Sequence, residues 1–227
     1  MLKKIALTVS LLCPLLLNAF GVQISPIKLN IDQTHKVGII NLKNLSGKDS
    51  MVKISLYKWS QDDKGKTIET KVDKSEKFIV TPKIFRLQAR QSKAIRITKI
   101  ATSKKDHEQS FYRVFVEELS TEVGLKGLPN LYAMNLPMIL NESLEKESLI
   151  IVSHSGTSLK IKTGSKKMVK IKHVKFLDKT GSLIYEKNVG QYVLPGKTIE
   201  VDFNKNKTDG IHKIILGYDS GSKEIIL

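Results

Sequence analysis

Met51-Val52-Lys53-Ile54-Ser55-Leu56-Tyr57-Lys58-Trp59 decides the class of fold. Its apolar residues recur with a period of two, the spacing of a strand with one face buried, and not at the three-and-four spacing of a helix. Asp62-Asp63-Lys64-Gly65 closes the run as a loop. On its N-terminal side, Val37-Gly38-Ile39-Ile40-Asn41-Leu42 leads into the turn Asn44-Leu45-Ser46-Gly47. On its C-terminal side come Phe78-Ile79-Val80, Ala94-Ile95-Arg96-Ile97, Phe111 to Leu119 and Leu131 to Leu140. Pro137 inside the last of these implies an edge strand or a bend, because proline has no N–H for a ladder.

The second half repeats the style. Ser148 to Ser153, Leu159 to Thr163, Val169 to Leu177, Ser182 to Tyr185, Thr198 to Phe203 and Ile211 to Tyr218 are strand-like. Ser155-Gly156, Asp178-Lys179-Thr180-Gly181, Pro195-Gly196, Thr208-Asp209-Gly210 and Ser220-Gly221 separate them as turns. Short strands at this spacing predict an all-β chain built as a sandwich, not an α/β or helical fold. Six or seven strands on each side of residues 138–146 suit two immunoglobulin-like β-sandwich domains, 22–140 and 141–227. Asn141-Glu142-Ser143 is the expected hinge.

The N-terminus sets the expected compartment. Lys3 and Lys4 precede an apolar run from Ile5 to Leu17, and Ala19-Phe20-Gly21 offers small residues for cleavage before Val22. This is the three-part pattern of a secretory signal over residues 1–21. A run of roughly 13 residues falls short of the about 20 that span a bilayer, so stable membrane insertion is not expected. The sole cysteine, Cys13, leaves with the signal, which removes disulfides and thiol chemistry from the mature chain. Stability must come from buried apolar surface, which about 200 residues can supply.

The chain carries 38 Lys and Arg against 22 Asp and Glu; removing Lys3 and Lys4 leaves 36 against 22, a net of +14. Such a charge favours polyanions or acidic proteins as partners. The lysines are dispersed, with no recognition-helix pattern and no aromatic-basic RNA motif, so nucleic acid is not an expected partner.

Little points to catalysis. His35, His107, His154, His173 and His212 are scattered, with no pair at metal-ligand spacing, so neither a metal nor a cofactor is expected. There is no Gly-x-Ser-x-Gly elbow and no phosphate-cradling glycine loop. Glu117 and Glu118 are adjacent in a strand, so they face opposite sides and cannot act as an acid–base pair. The reading is of a non-enzyme.

Three stretches, in order, resemble the PapD-like periplasmic chaperones of pilus and fimbrial assembly. The first is Phe78-Ile79-Val80-Thr81-Pro82-Lys83-Ile84-Phe85-Arg86-Leu87, followed by Gln91-Ser92-Lys93-Ala94-Ile95-Arg96-Ile97. The second is Glu108-Gln109-Ser110-Phe111-Tyr112-Arg113-Val114-Phe115-Val116-Glu117-Glu118-Leu119, and the third Gly190-Gln191-Tyr192-Val193-Leu194-Pro195-Gly196-Lys197. Val22 to Asn44 fits the family's opening strands. The Tyr112-Arg113-Val114 strand and the Leu136-Pro137 pair are more similar to its archaic branch.

The resemblance implies a boomerang of two immunoglobulin-like domains in the periplasm, without enzymatic activity. It implies pilin-like subunits that lack a strand as partners, and an outer-membrane usher as the recipient. The chaperone lends the last strand of its first domain to the subunit's open groove, which is donor-strand complementation. That strand is expected over Leu128 to Ile139, with Leu128, Asn130, Tyr132, Met134 and Leu136 on the groove-filling face and Leu131, Ala133 and Asn135 on the other. The opposite register, and a plain core role for some of these residues, stay open. Other members of the family clamp the subunit's C-terminal carboxylate with an Arg and a Lys. The first aligns with Lys28, which keeps the charge without the bidentate fork. The second aligns with Pro137, which cannot serve. Arg113 and Arg86 are the candidate replacements, and Arg86 has an equally good claim to a structural role. The 121–127 loop is expected to face the usher. A competing reading is a basic secreted immunoglobulin-like protein that binds an anionic polymer or a membrane surface through its charge.

Overall fold

The computed structural model describes residues 21–32, 34–72, 78–100, 109–119, 130–143, 150–155, 158–203 and 210–227, with the main chain alone for 130–132, 154 and 155. The signal segment up to residue 20, Leu128 and the 121–127 loop lie outside the described residues. Every regular element among them is a strand.

Residues 22–140 form two facing sheets. One runs β1 (Val22–Ser25), β3 (Val37–Asn44), β8 (Ser92–Lys99), β6 (Phe78–Thr81) in spatial order. The other runs β2 (Leu29–Ile31), β10 (Asn130–Leu140), β9 (Ser110–Leu119), β4 (Ser50–Gln61), β5 (Thr67–Lys71), with β7 (Ile84–Leu87) also paired to β4. Alternation buries one face of each strand: Ile40 and Leu42 from β3, Val52, Ile54 and Leu56 from β4, and Tyr112, Val114 and Val116 from β9 meet in one core. The buried Asn44 is satisfied by donating to the carbonyls of Lys48 at 2.8 Å and Leu87 at 3.1 Å.

Residues 150–226 form the second sandwich. β11 (Ile150–Ser155), β12 (Ser158–Thr163) and β15 (Thr198–Asp202) make one sheet. β14 (Leu183–Val193), β13 (Val169–Leu177), β16 (Lys213–Tyr218) and β17 (Gly221–Ile226) make the other, in that order. Its core holds Leu159, Ile161, Ile171, Val174, Phe176, Ile199, Ile214 and Leu216. The inward positions step from Ile171 to Val174 because a register shift between Ile171 and His173 interrupts the alternation.

Four elements depart from the sequence expectation. β5, β7 and β17 were not expected, and β14 runs on to Val193 instead of stopping at Tyr185. β5 and β17 are edge strands with almost every residue exposed, so no buried face stamps a period on their sequence. Their partners define them.

A third cluster joins the two sandwiches. Trp59, Phe111 and Ile139 stand on the outer face of the β10-β9-β4 sheet and pack with Met168, Tyr192 and Leu194. Next to them the Gln61 side-chain amide donates to the Tyr192 carbonyl at 2.8 Å and its oxygen accepts from the Leu194 N–H at 2.8 Å. Burial beside Tyr192 pushes its phenol above its ordinary pKa, and the nearby Asp219 adds to the shift.

Candidate functional site

β10 is the strand whose surroundings are asymmetric. On one side β9 pairs with it in antiparallel register, from Asn130 opposite Leu119 to Leu140 opposite Ser110. On the other side β2 runs parallel to it, but only at Met138, Ile139 and Leu140. From Asn130 to Pro137 no described strand lies along that side. Such an edge presents unpaired main-chain N–H and C=O groups, a template for another chain. Pro137 is the last residue before β2 joins, an edge position that spares the proline a ladder bond it has no N–H to make.

The alternation expected along this strand is corrected at one point. Asn130 is opposite Leu119 while Ala133 is opposite Glu117, so β10 carries one more residue than β9 over this step. A bulge of this kind interrupts the two-residue period between Asn130 and Ala133. Beyond the bulge alternation resumes. Leu136 is buried and Met134 half-buried against the core of the first sandwich, whereas Ala133 and Asn135 are exposed. Leu128 lies outside the described residues, and Asn130 and Tyr132 are placed by their main chain.

The three candidate cations fall in two places. Leu29 pairs with Met138 in parallel register, so Lys28, one residue earlier, stands level with Pro137; Arg113 is opposite Pro137 on the other side. Leu29, Met138 and Val114 point into the core, so their sequence neighbours Lys28 and Arg113 both lie on the outer face. The two cations thus flank Pro137, roughly 10 Å apart across two strand spacings. Arg86 is remote from them. It lies on β7 opposite Met51, several residues along β4 from Tyr57, the partner of Arg113.

Each cation has a carboxylate. Lys28 Nζ is 2.7 Å from Glu142 Oε1, and Asn30 Nδ2 donates to Glu142 Oε2 at 2.6 Å. Arg113 is 2.9 Å from Glu69 and lies 4.3 Å from the centre of the Trp59 ring, a cation–π contact at the junction. Arg86 binds Asp49 at 2.6 Å, and Asp49 also accepts from the Ala89 N–H at 2.8 Å. These bonds, the Ala89 N–H first, hold the Asp49 carboxyl below its ordinary pKa. The side chain of Arg86 is 69% exposed, against 34% for Lys28 and 19% for Arg113, which fits a turn brace better than a binding group. Glu117, pointing outward, meets Lys53 at 3.1 Å and Ser55 at 2.9 Å, while Glu118 takes Ser50 on the other side. The two acids are indeed split.

Asn30, Glu142, Trp59 and Gln61 were not singled out as site residues in the sequence; Glu142 was read only as part of the hinge and Trp59 only as part of a strand. Glu142 stands more than a hundred positions from Lys28, so no local spacing signals that pairing.

A strand edge with no described partner and cations beside it, at the junction of two β-sandwiches, is a template on which a strand of another chain can pair. Residues 21–132 match the family described as pili and flagellar-assembly chaperones, PapD N-terminal domain, and at the family level the chain belongs with the PapD-like chaperones. Among solved structures it is similar to the CsuC–CsuE chaperone–tip adhesion subunit complex from the archaic chaperone-usher Csu pili of Acinetobacter baumannii. The identity is 20%, the TM-score 0.64, and 91% of this chain and 97% of that one are covered. The Salmonella enterica SafA pilin–SafB chaperone complex matches with 15% identity and a TM-score of 0.61, over 92% of this chain and 97% of that one. The E. coli chaperone DraB matches at 14% and 0.61, over 92% and 97%. These likenesses carry the two-sandwich fold across both halves of the chain. No curated protein matches it in sequence.

Proposed function

We propose that this chain is a periplasmic chaperone of pilus subunits that holds a subunit lacking a strand against the open edge of β10. It then delivers the subunit to an outer-membrane usher. The carrying observation is that no described strand pairs with that side of β10 from Asn130 to Pro137. A subunit strand laid there gains main-chain hydrogen bonds, and side chains of β10 enter its groove. The role is binding, without turnover, and requires no cofactor. Lys28 and Arg113, flanking Pro137, take the place of the family's carboxylate clamp, and Arg86 braces the turn at Asp49. Residues 1–21 act as the export signal, cleaved next to Gly21-Val22, and the domains divide at Asn141-Glu142-Ser143.

Co-expression in a bacterial periplasm with pilin subunits encoded beside this chain tests the reading. A stable one-to-one complex is expected. Tyr132→Asp is expected to abolish it and Ala133→Asp to leave it intact. Loss with Ala133→Asp alone moves the donor face to Ala133 and Asn135. Failure to capture any subunit refutes the chaperone reading.

A further inference from the structure

We propose that Lys28 and Asn30 form a carboxylate cradle that Glu142 fills in the free chain, so that an incoming carboxylate must displace an internal one. This rests on the chaperone reading and adds to it a residue, Asn30, and a form of regulation.

The cradle follows from the register. Asn30 is opposite Ile139 and Lys28 stands level with Pro137, so both lie along the flank of β10 where the open edge ends. Leu29 and Ile31 point into the core, which puts Lys28 and Asn30 together on the outer face. Their polar ends converge on the two oxygens of one carboxylate, at 2.7 and 2.6 Å. These are charge-assisted distances. The group that fills the cradle comes from the turn that leaves β10. Asn141 has φ of 50°, and its N–H donates to the Ile31 carbonyl at 2.8 Å. That left-handed step, which asparagine tolerates better than most residues, turns the chain so that the next side chain, Glu142, folds back over β2. The Glu142 side chain is only 13% exposed, so the contact is shielded from solvent and salt more than a loose surface pair.

The chemistry selects a carboxylate. The two donors match its two oxygens. An external carboxylate then gains what Glu142 loses, so the net preference is small for an isolated carboxylate. It becomes large only when strand pairing along β10 holds the incoming group in place. The internal carboxylate thereby discriminates against free carboxylates and in favour of one delivered on a strand.

The test uses the mature chain labelled to observe the Lys28 ammonium and the Asn30 side-chain amide by NMR. Sodium acetate is titrated against sodium chloride at matched ionic strength. Glu142→Ala is expected to show saturable acetate shifts of both groups at a concentration at least about tenfold below that needed for the wild type, the scale of one charge-assisted hydrogen bond. Lys28→Gln in the Glu142→Ala background is expected to lose them. Equal responses of wild type and Glu142→Ala, or shifts that persist without Lys28, overturn the cradle. Because acetate reports on the cradle without any subunit, its failure is separable from that of the chaperone reading. Capture with no acetate effect leaves the function standing, and an acetate effect with no capture leaves the cradle alone.

Discussion

Gly65 shows how one residue sets the relation between the two sandwiches. Its φ is 76°, and a Cβ there would meet the Thr198 carbonyl oxygen at 2.5 Å and the Ile199 side chain at 2.7 Å. Only glycine supplies that backbone conformation and that close approach together. Gly65→Ala is therefore expected to push the β4–β5 turn off the second sandwich, straining the nearby Gln61 bonds to Tyr192 and Leu194. A loss of roughly 1–3 kcal/mol in urea unfolding is expected; an unchanged midpoint would show that the turn moves freely. Asp32 acts on a different axis. Its carboxylate accepts from the Thr34 hydroxyl and from the His35 and Thr34 N–H groups, which lowers its pKa to about 2. A depressed carboxylate stabilises the fold fully above its unfolded pKa of about 3.9 and loses that contribution as pH falls towards about 2. Thermal melts across pH 2–5 are expected to fall less steeply for Asp32→Asn than for the wild type. Parallel curves would remove Asp32 from the acid limb.

At the scale of the element, β10 carries two environments in one strand. Towards β9 its ladder is continuous apart from the bulge, and its last three residues gain β2 as well. Towards the open side, Ala133 to Leu136 have no described strand. In hydrogen exchange the amides of Ala133 to Leu136 should therefore split into a slow set, bonded to β9, and a fast set facing the edge. Met138 to Leu140 should exchange slowly throughout. Subunit capture is expected to slow the fast set by orders of magnitude and leave the β9-facing set unchanged. Uniform protection of β10 in the free chain would mean that the edge is already covered.

For the whole molecule the deciding quantity is salt. The chain carries a net charge of +16, so a basic surface that attracts an anionic polymer would lose affinity steeply as ionic strength rises. A strand added to β10 is held by main-chain bonds and apolar contacts, which salt leaves intact. The captured complex is expected to survive from about 0.15 M to about 1 M sodium chloride in size-exclusion chromatography, a range over which the Debye length shrinks from about 8 to 3 Å. Dissociation over that range would favour the anionic-polymer reading over the chaperone.

The all-β class was legible in Met51 to Trp59, because a half-buried strand writes its period into its own side chains. The immunoglobulin-like pair followed from the spacing of such strands, and the family from short ordered motifs such as Phe78 to Leu87. The exposed strands Thr67–Lys71 and Gly221–Ile226 carried no such period, and only pairing revealed them. The bulge before Ala133 was equally silent, since an extra residue in β10 is defined by what stands opposite it in β9. The site divides in the same way. Lys28 could be nominated from alignment with the family's clamp and Arg113 as a replacement cation, but that they flank Pro137, and that Arg86 does not, depends on three strands meeting in register. The Lys28–Glu142 contact joins the start of the first sandwich to the turn at its end. Local sequence determines which residues alternate and turn; tertiary structure decides which strand is left without a neighbour, because an edge is a property of the whole sheet.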